Sequence, residues 1–211
     1  MNILAFTSKF PIFFVVIILT ILLLHNMRRA DKIRKKTYDD FLERESKANS
    51  TRKKALDSVD YIVIPYEELP FTLEADDEVI SRCLLRMEEF RTEPTANFTG
   101  VSNTDLKLMY GAPNISHLTR CDNNFIILAR TLQEWAARLY ELGHPKEALT
   151  ILEFAIKIHS DISAGFYLAA RIYAENGDYK KIAWLKRQAE ALNSLMSAPI
   201  IKTLNEKYPD A

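Results

Sequence analysis

The densest apolar stretch lies near the N-terminus. From Phe10 to Leu24 the chain reads FPIFFVVIILTILLL, interrupted only by Pro11 and Thr20. As a helix, about 15 residues rise about 22 Å, short of the ~30 Å of a bilayer's hydrocarbon core. Ile3, Leu4, Ala5 and Phe6 before the run, or His25, Asn26 and Met27 after it, make up the length, and Lys9 can snorkel to the headgroups. No polar stripe marks an outer face, as a helix on a soluble core would need. A cleaved signal peptide carries its basic residues before the apolar core and a small-residue site after it. Here Arg28, Arg29, Lys32, Arg34, Lys35 and Lys36 follow the core. The pattern predicts an uncleaved single-pass transmembrane helix over residues 1–27.

Beyond it the periodicities change. Residues 28–57 are mostly charged, with Tyr38, Phe41 and Leu42 as a sparse apolar face at helical spacing, and read as a juxtamembrane helix or stalk. Tyr61–Ile64 is a β-branched run closed by Pro65, an extended connector or short edge strand. Asp76 or Asp77 is placed to cap a helix whose Val79, Ile80, Cys83, Leu84, Met87 and Phe90 share one face, ending before Pro94. Residues 92–122 are loop-rich. Within them Ser102 and Asp105 form an acidic variant of the capping box for a short helix that Gly111 and Pro113 end.

From Ala129 onward the pattern repeats at a period of 34. Ala136 recurs as Ala170, Gly143 as Gly177 and Ala155 as Ala189. Each copy has an apolar-periodic segment, a glycine-centred break and a second such segment: 123–142 with 145–159, then 163–176 with 179–193. The small alanines suit close approach of two helices, the glycines suit a left-handed helix end, Pro145 opens the next helix, and Asp178 caps its counterpart. Leu132, Trp135, Leu139, Leu149, Leu152 and Ile156 would fill the first hairpin, and Phe166, Tyr173, Ile182, Leu185 and Ala189 the second. A stripe of Ile200, Ile201 and Leu204 in 197–208 predicts a C-terminal capping helix. Residues 58–122 are then the N-terminal cover, because two repeats alone bury too little. The domains expected are thus 1–27, 28–57, 58–122 and 123–211.

This pattern resembles the tetratricopeptide family, whose 34-residue unit is a helix–turn–helix with small and aromatic residues at fixed places. The first copy presents Leu132, Trp135, Ala136, Leu139, Gly143, Ala148, Leu152 and Ala155; the second presents Phe166, Ala169, Ala170, Tyr173, Gly177, Tyr179 and Ala189. Ser160 and Ser194 stand where the family often has proline, and Ile182 where it has alanine. The resemblance covers 129–194 and implies an all-α array of hairpins with capping helices, behind the transmembrane helix. It also implies a groove lined by the first helix of each pair, taking protein or peptide partners. By position, Arg130, Gln133, Ala137 and Tyr140 would face it from the first copy, and Tyr167, Leu168 and Arg171 from the second. Tyr140 and Tyr167 equally suit packing against a cap. Members that hold a partner's C-terminal carboxylate use Lys and Asn where Gln133 and Ala137 stand, so that activity is not implied.

Composition refines this picture. Seven basic residues against Asp31 fall within 1–36, leaving 21 basic and 27 acidic groups in the rest of a chain of zero net charge. An acidic body argues against a nucleic-acid partner, whereas the basic flank suits anionic lipid. By the positive-inside rule that flank is cytoplasmic, which places residues 28–211 in the cytoplasm of a cell membrane protein. The Asn-x-Ser/Thr triplets at Asn49, Asn97 and Asn114 are then chance matches, and Cys83 and Cys121 are reduced thiols.

Reaction chemistry is poorly represented. Gly-rich phosphate loops, G-x-S-x-G, H-E-x-x-H and paired cysteine clusters are missing. His117 and Cys121 have ligand spacing but lack the second pair that zinc needs. No catalytic residue, cofactor or metal is expected. The function expected is a membrane-anchored scaffold or adaptor. One alternative is a receptor for targeting sequences in a protein-translocation system, since mitochondrial outer-membrane receptors share an anchor followed by such repeats. A weaker one is an enzyme with a site in 92–122 built from Asn103, Asp105, His117 and Asp122.

Overall fold

The computed structural model describes residues 11–209. Phe10 and the upstream residues of the expected transmembrane segment, together with residues 210–211, lie outside the described residues. Every regular element described is helical. The chain divides into two compact units, residues up to Thr51 and residues from Arg52 onward.

The described part of the first unit holds one unbroken helix, α1 (Pro11–Ser50), which joins the apolar run to the charged segment after it. Each apolar side chain from Val15 to Leu24 is exposed, Leu23 to 61%. The one hydroxyl in this run, on Thr20, donates to the Val16 carbonyl at 2.8 Å, closing onto its own helix. Among the described residues no helix is long and apolar enough to cross a membrane. The described apolar side chains of α1 span only about 15 Å before His25 and Asn26. A complete span would need the residues before them.

The second unit begins with an extended connector that reaches residue 77. Its β-branched stretch forms a single antiparallel bridge, Tyr61 with Ala96, rather than a strand. Then come α2 (Glu78–Glu89) and α3 (Asn103–Tyr110), followed by a 3-10 turn (Ala112–Asn114) and the long α4 (Ile115–Glu141). The remaining helices are α5 (Pro145–Lys157), α6 (Ser163–Glu175), α7 (Tyr179–Glu190) and α8 (Ser197–Lys207). The caps are those expected from side-chain chemistry. Asp77 Oδ1 accepts from the Val79 and Ile80 amides at 3.0 and 3.1 Å, and Ser102 Oγ accepts from the Asp105 amide at 3.1 Å.

The two glycine breaks adopt the same main-chain geometry. Gly143 and Gly177 have φ of 87° and 73°. After α4, the His144 amide reaches the Leu139 carbonyl at 2.9 Å and the Gly143 amide reaches Tyr140. After α6, the Asp178 amide reaches Tyr173 at 2.8 Å and the Gly177 amide reaches Ala174. Both are Schellman closures, which satisfy the last carbonyls of a helix with a left-handed residue. All four partners recur at an offset of 34. α5 ends in a third closure, Ser160 to Ala155 at 3.0 Å, but with His159 as the left-handed residue, at φ 59°.

Packing follows the chain. α4 lies against α5, α5 against α6, α6 against α7 and α7 against α8; α4 also meets α6, and α6 meets α8. At one end α2 packs on α4. The residues expected to fill the hairpins are buried, apart from half-buried Leu149, and Trp135, Ala136 and Ala170 are fully inaccessible. Phe71 from the connector meets the Trp135 ring edge-on at 5.2 Å, and Tyr66 stacks on Phe71 at 5.4 Å. Arg91 lies 3.9 Å over the Tyr66 ring, whose hydroxyl donates to the Met87 carbonyl at 2.9 Å. The connector is therefore a lid on the first hairpin, clamped to α2.

The interior has two apolar clusters. The larger extends from Ile64 to Leu204, and the smaller holds Val59, Ala96, Leu106, Tyr110, Leu118 and Cys121. α4 runs through both, which explains its early start. Leu118, Cys121 and Phe125 continue its buried face ahead of residue 123, between polar Thr119, Asp122 and Asn123 that make the stretch read as loop. Asn114, itself buried, fixes the start of this cluster by donating to the Lys54 and Tyr110 carbonyls, each at 2.8 Å.

Candidate binding surface

Of the groove positions expected from the repeat, Arg130, Gln133, Tyr140, Tyr167 and Arg171 make contacts with different elements. Arg130, exposed on α4, lines a cavity of about 400 Å³ between α2 and α4 together with Arg82, Arg86, Glu89 and Glu134. Across it Arg82 pairs with Glu134 at 2.5 Å. Gln133 is half-buried where α4 crosses α6, and its Oε1 lies 2.8 Å from where a Cβ on Gly165 would stand. The glycine's missing side chain is what lets this amide in.

Tyr140 and Arg171 do come together. The Tyr140 hydroxyl donates to Glu175 Oε1 at 2.9 Å, joining α4 to the end of α6. That carboxylate, followed by burial, raises the Tyr140 hydroxyl above its ordinary range, and the nearby Arg171 opposes the shift. Tyr167 is turned to the C-terminal helix: its hydroxyl donates to Thr203 Oγ1 at 3.2 Å, and Lys207 Nζ lies 5.8 Å above its ring. Glu175, Thr203 and Lys207 were not legible as partners, because nothing local in the sequence relates them to the tyrosines.

A second set of charged contacts ties elements together. Asp77 Oδ2 accepts from Arg138 Nε and Nη2 at 3.0 and 2.7 Å, and Arg138 also reaches Glu141 at 3.0 Å. The Arg138 guanidinium, more than the capping amides, holds the Asp77 carboxyl below its ordinary range. Glu153 accepts from the Tyr173 hydroxyl at 2.5 Å and from Lys181 at 2.9 Å, joining α5, α6 and α7. Burial and this carboxylate push the Tyr173 hydroxyl far up.

Of the four polar residues considered in 92–122, Asp105, His117 and Asp122 are engaged separately. Asp105 is held by Ser102, and Asp122 Oδ1 accepts from the Phe98 amide at 3.1 Å. Asn103 is exposed at the start of α3. His117 Nε2 lies 3.2 Å from the Tyr61 hydroxyl and 3.5 Å from Cys121 Sγ. Among the described residues no three His, Cys, Asp or Glu side chains are grouped to hold a metal ion. His144 pairs with Glu74 at 2.9 Å beside the first hairpin turn. Cys83 and Cys121 are free and buried; burial raises both thiols, Cys83 to about 11.

No protein-family model, curated protein or solved structure matches the chain. Its class is that of an all-α protein built on successive helical hairpins.

Proposed function

We propose that this protein is a membrane-anchored scaffold whose tetratricopeptide-like array binds protein or peptide partners in the cytoplasm. The observation that carries the reading is the recurrence of one hairpin closure at an offset of 34, on helices that pack on their neighbours and on the second helix along. Such stacking is how repeat arrays build extended binding surfaces. The Tyr140–Arg171–Glu175 cluster supplies aromatic and arginine groups of the kind that anchor interfaces. The anchor rests on the uncovered apolar side chains Val15–Leu24 and on the internally closed Thr20 hydroxyl, which is how a polar group is satisfied in hydrocarbon. The basic residues that follow give the cytoplasmic orientation, and the same flank would contact anionic lipid.

The test is to place a cysteine at exposed Lys180 (K180C) and treat cells with a membrane-impermeant maleimide. The native thiols are buried and serve as an internal control for folding. Protection until lysis, with retention in carbonate-washed membranes, is expected. Labelling of intact cells would overturn the orientation, and release by carbonate would overturn the anchor. A photo-crosslinker at Arg171 should give discrete protein adducts that diminish in Tyr140→Ala. A blank pattern would count against the scaffold.

A further inference from the structure

A different face carries an unfilled recognition element. The connector alternates at Ile62, Val63 and Ile64: Ile64 is buried, Ile62 packs on the larger cluster, and Val63 is 85% exposed. On one side the Ile62 amide donates to the Thr95 carbonyl at 2.8 Å beside the Tyr61–Ala96 bridge. In an extended chain the next residue's polar groups point the other way. The Val63 amide and carbonyl accordingly make no hydrogen bond within the described structure. This is the outer edge of a singly bridged connector, not of a formed sheet, and its Val63 main-chain groups are unpaired among the described residues.

The edge opens onto a long groove. Val63 and Lys157 both line two adjoining cavities of about 280 and 510 Å³. Thr99, Leu192, Asn193 and Ser194 are shared between the second of these and a third of about 700 Å³. The groove thus runs between the connector and α5, then past the C-terminal ends of α5 and α7. Those ends carry the partial negative charge of a helix C-terminus. Asp60 and Glu68, towards the two ends of the connector's contribution, have no ion-pair partner in the described structure, and Lys157 lines the same two cavities. Exposed Val63 and, in the third cavity, Leu195 at 96% exposure offer apolar contacts.

We propose that this groove takes an extended segment of a partner protein that alternates Lys or Arg with apolar residues, paired to Val63 as an added strand. Main-chain hydrogen bonds supply affinity in such pairing and alternate side chains supply specificity. Asp60 and Glu68 select the basic positions. This surface is separate from Tyr140 and Arg171, so it stands or falls independently of the array's other face.

The test uses the full chain in detergent micelles and two fluorescein-labelled octapeptides, (Lys-Val)4 and (Glu-Val)4, read by fluorescence anisotropy and by amide hydrogen exchange. Binding of (Lys-Val)4 is expected to exceed that of (Glu-Val)4 by about tenfold or more, with exchange slowed over residues 60–66. Val63→Pro, which removes the amide, and the double variant Asp60→Lys/Glu68→Lys should each weaken it about tenfold. Tyr140→Ala should leave it unchanged. The charge variant keeps the test valid if the proline variant misfolds. Equal binding of both peptides, protection on α4 and α6 in place of 60–66, or no binding would overturn the proposal. Protection of 60–66 in the peptide-free chain that rises with protein concentration would overturn it in favour of pairing between two copies.

Discussion

Gly143, Gly177 and Gly111 all have positive φ, but their surroundings differ. Nothing lies within 4 Å of a Cβ built on Gly143 or Gly177, so alanine there meets only the left-handed backbone penalty. Gly143→Ala and Gly177→Ala should each cost about 1–2 kcal/mol. At Gly111, with φ 94°, the added carbon would lie 2.2 Å from the Arg52 carbonyl oxygen. Gly111→Ala should therefore cost clearly more and loosen the 52–54 segment that α3 holds through Lys54. His159 presents the opposite case: an exposed non-glycine residue in the same conformation, for which His159→Gly should gain about 0.5 kcal/mol. Urea midpoints followed by tryptophan fluorescence would rank the four, since Trp135 and Trp184 both belong to the second unit.

Asp77 gives a pH signature. Its folded pKa lies below the ordinary 3.8, so its pairing stabilises the fold above that range and is lost as the pH falls through the depressed value. Stability should be insensitive to this group near neutrality and fall below about pH 4. Arg138→Gln should flatten that fall, and an unchanged acid limb would refute the linkage.

At the level of elements, what was legible tracks how local the cause is. The capped starts of α2 and α3 and the glycine ends of α4 and α6 follow from one residue's chemistry, and they appear where the sequence places them. The 34-residue recurrence made the hairpins readable, including small Ala136 and Ala170, both fully buried. Ala136→Leu or Ala170→Leu should cost about 1–3 kcal/mol through overpacking, visible as a lowered thermal midpoint by circular dichroism. The early start of α4 was missed because its buried residues are spaced among polar ones. The lid of Tyr66 and Phe71 over Trp135 was missed because it joins residues some 65 positions apart, with no periodic signal. Of the groove positions, sequence register placed Tyr140 and Arg171 on neighbouring helices. It left Tyr167 suited equally to the groove and to a cap, of which the α8 contact is the second, and it gave no sign that Gln133 fills the space left by Gly165.

Across the whole molecule, charge and burial divide along the chain. The basic residues cluster behind the apolar run of α1, and the body after residue 36 is acidic. Two of the three glycosylation triplets are committed to structure: the Asn97 side-chain amide donates to the Ile158 and His159 carbonyls, and that of Asn114 to Lys54 and Tyr110. The third, Asn49, lies exposed on α1 and offers a glycosylation test of orientation.

The two cysteines report on a property that neither the sequence nor the packing shows directly, the order in which the interior opens. Cys83 belongs to the larger apolar cluster and Cys121 to the smaller, and α4 is the beam common to both. A thiol reagent reaches either sulfur only during an excursion from the native state, and such excursions range from local fraying to global unfolding. Should the smaller cluster breathe alone, Cys121 will react well ahead of Cys83. Equal rates would mean that α4 transmits every opening from one cluster to the other, so that the molecule opens as a single cooperative body.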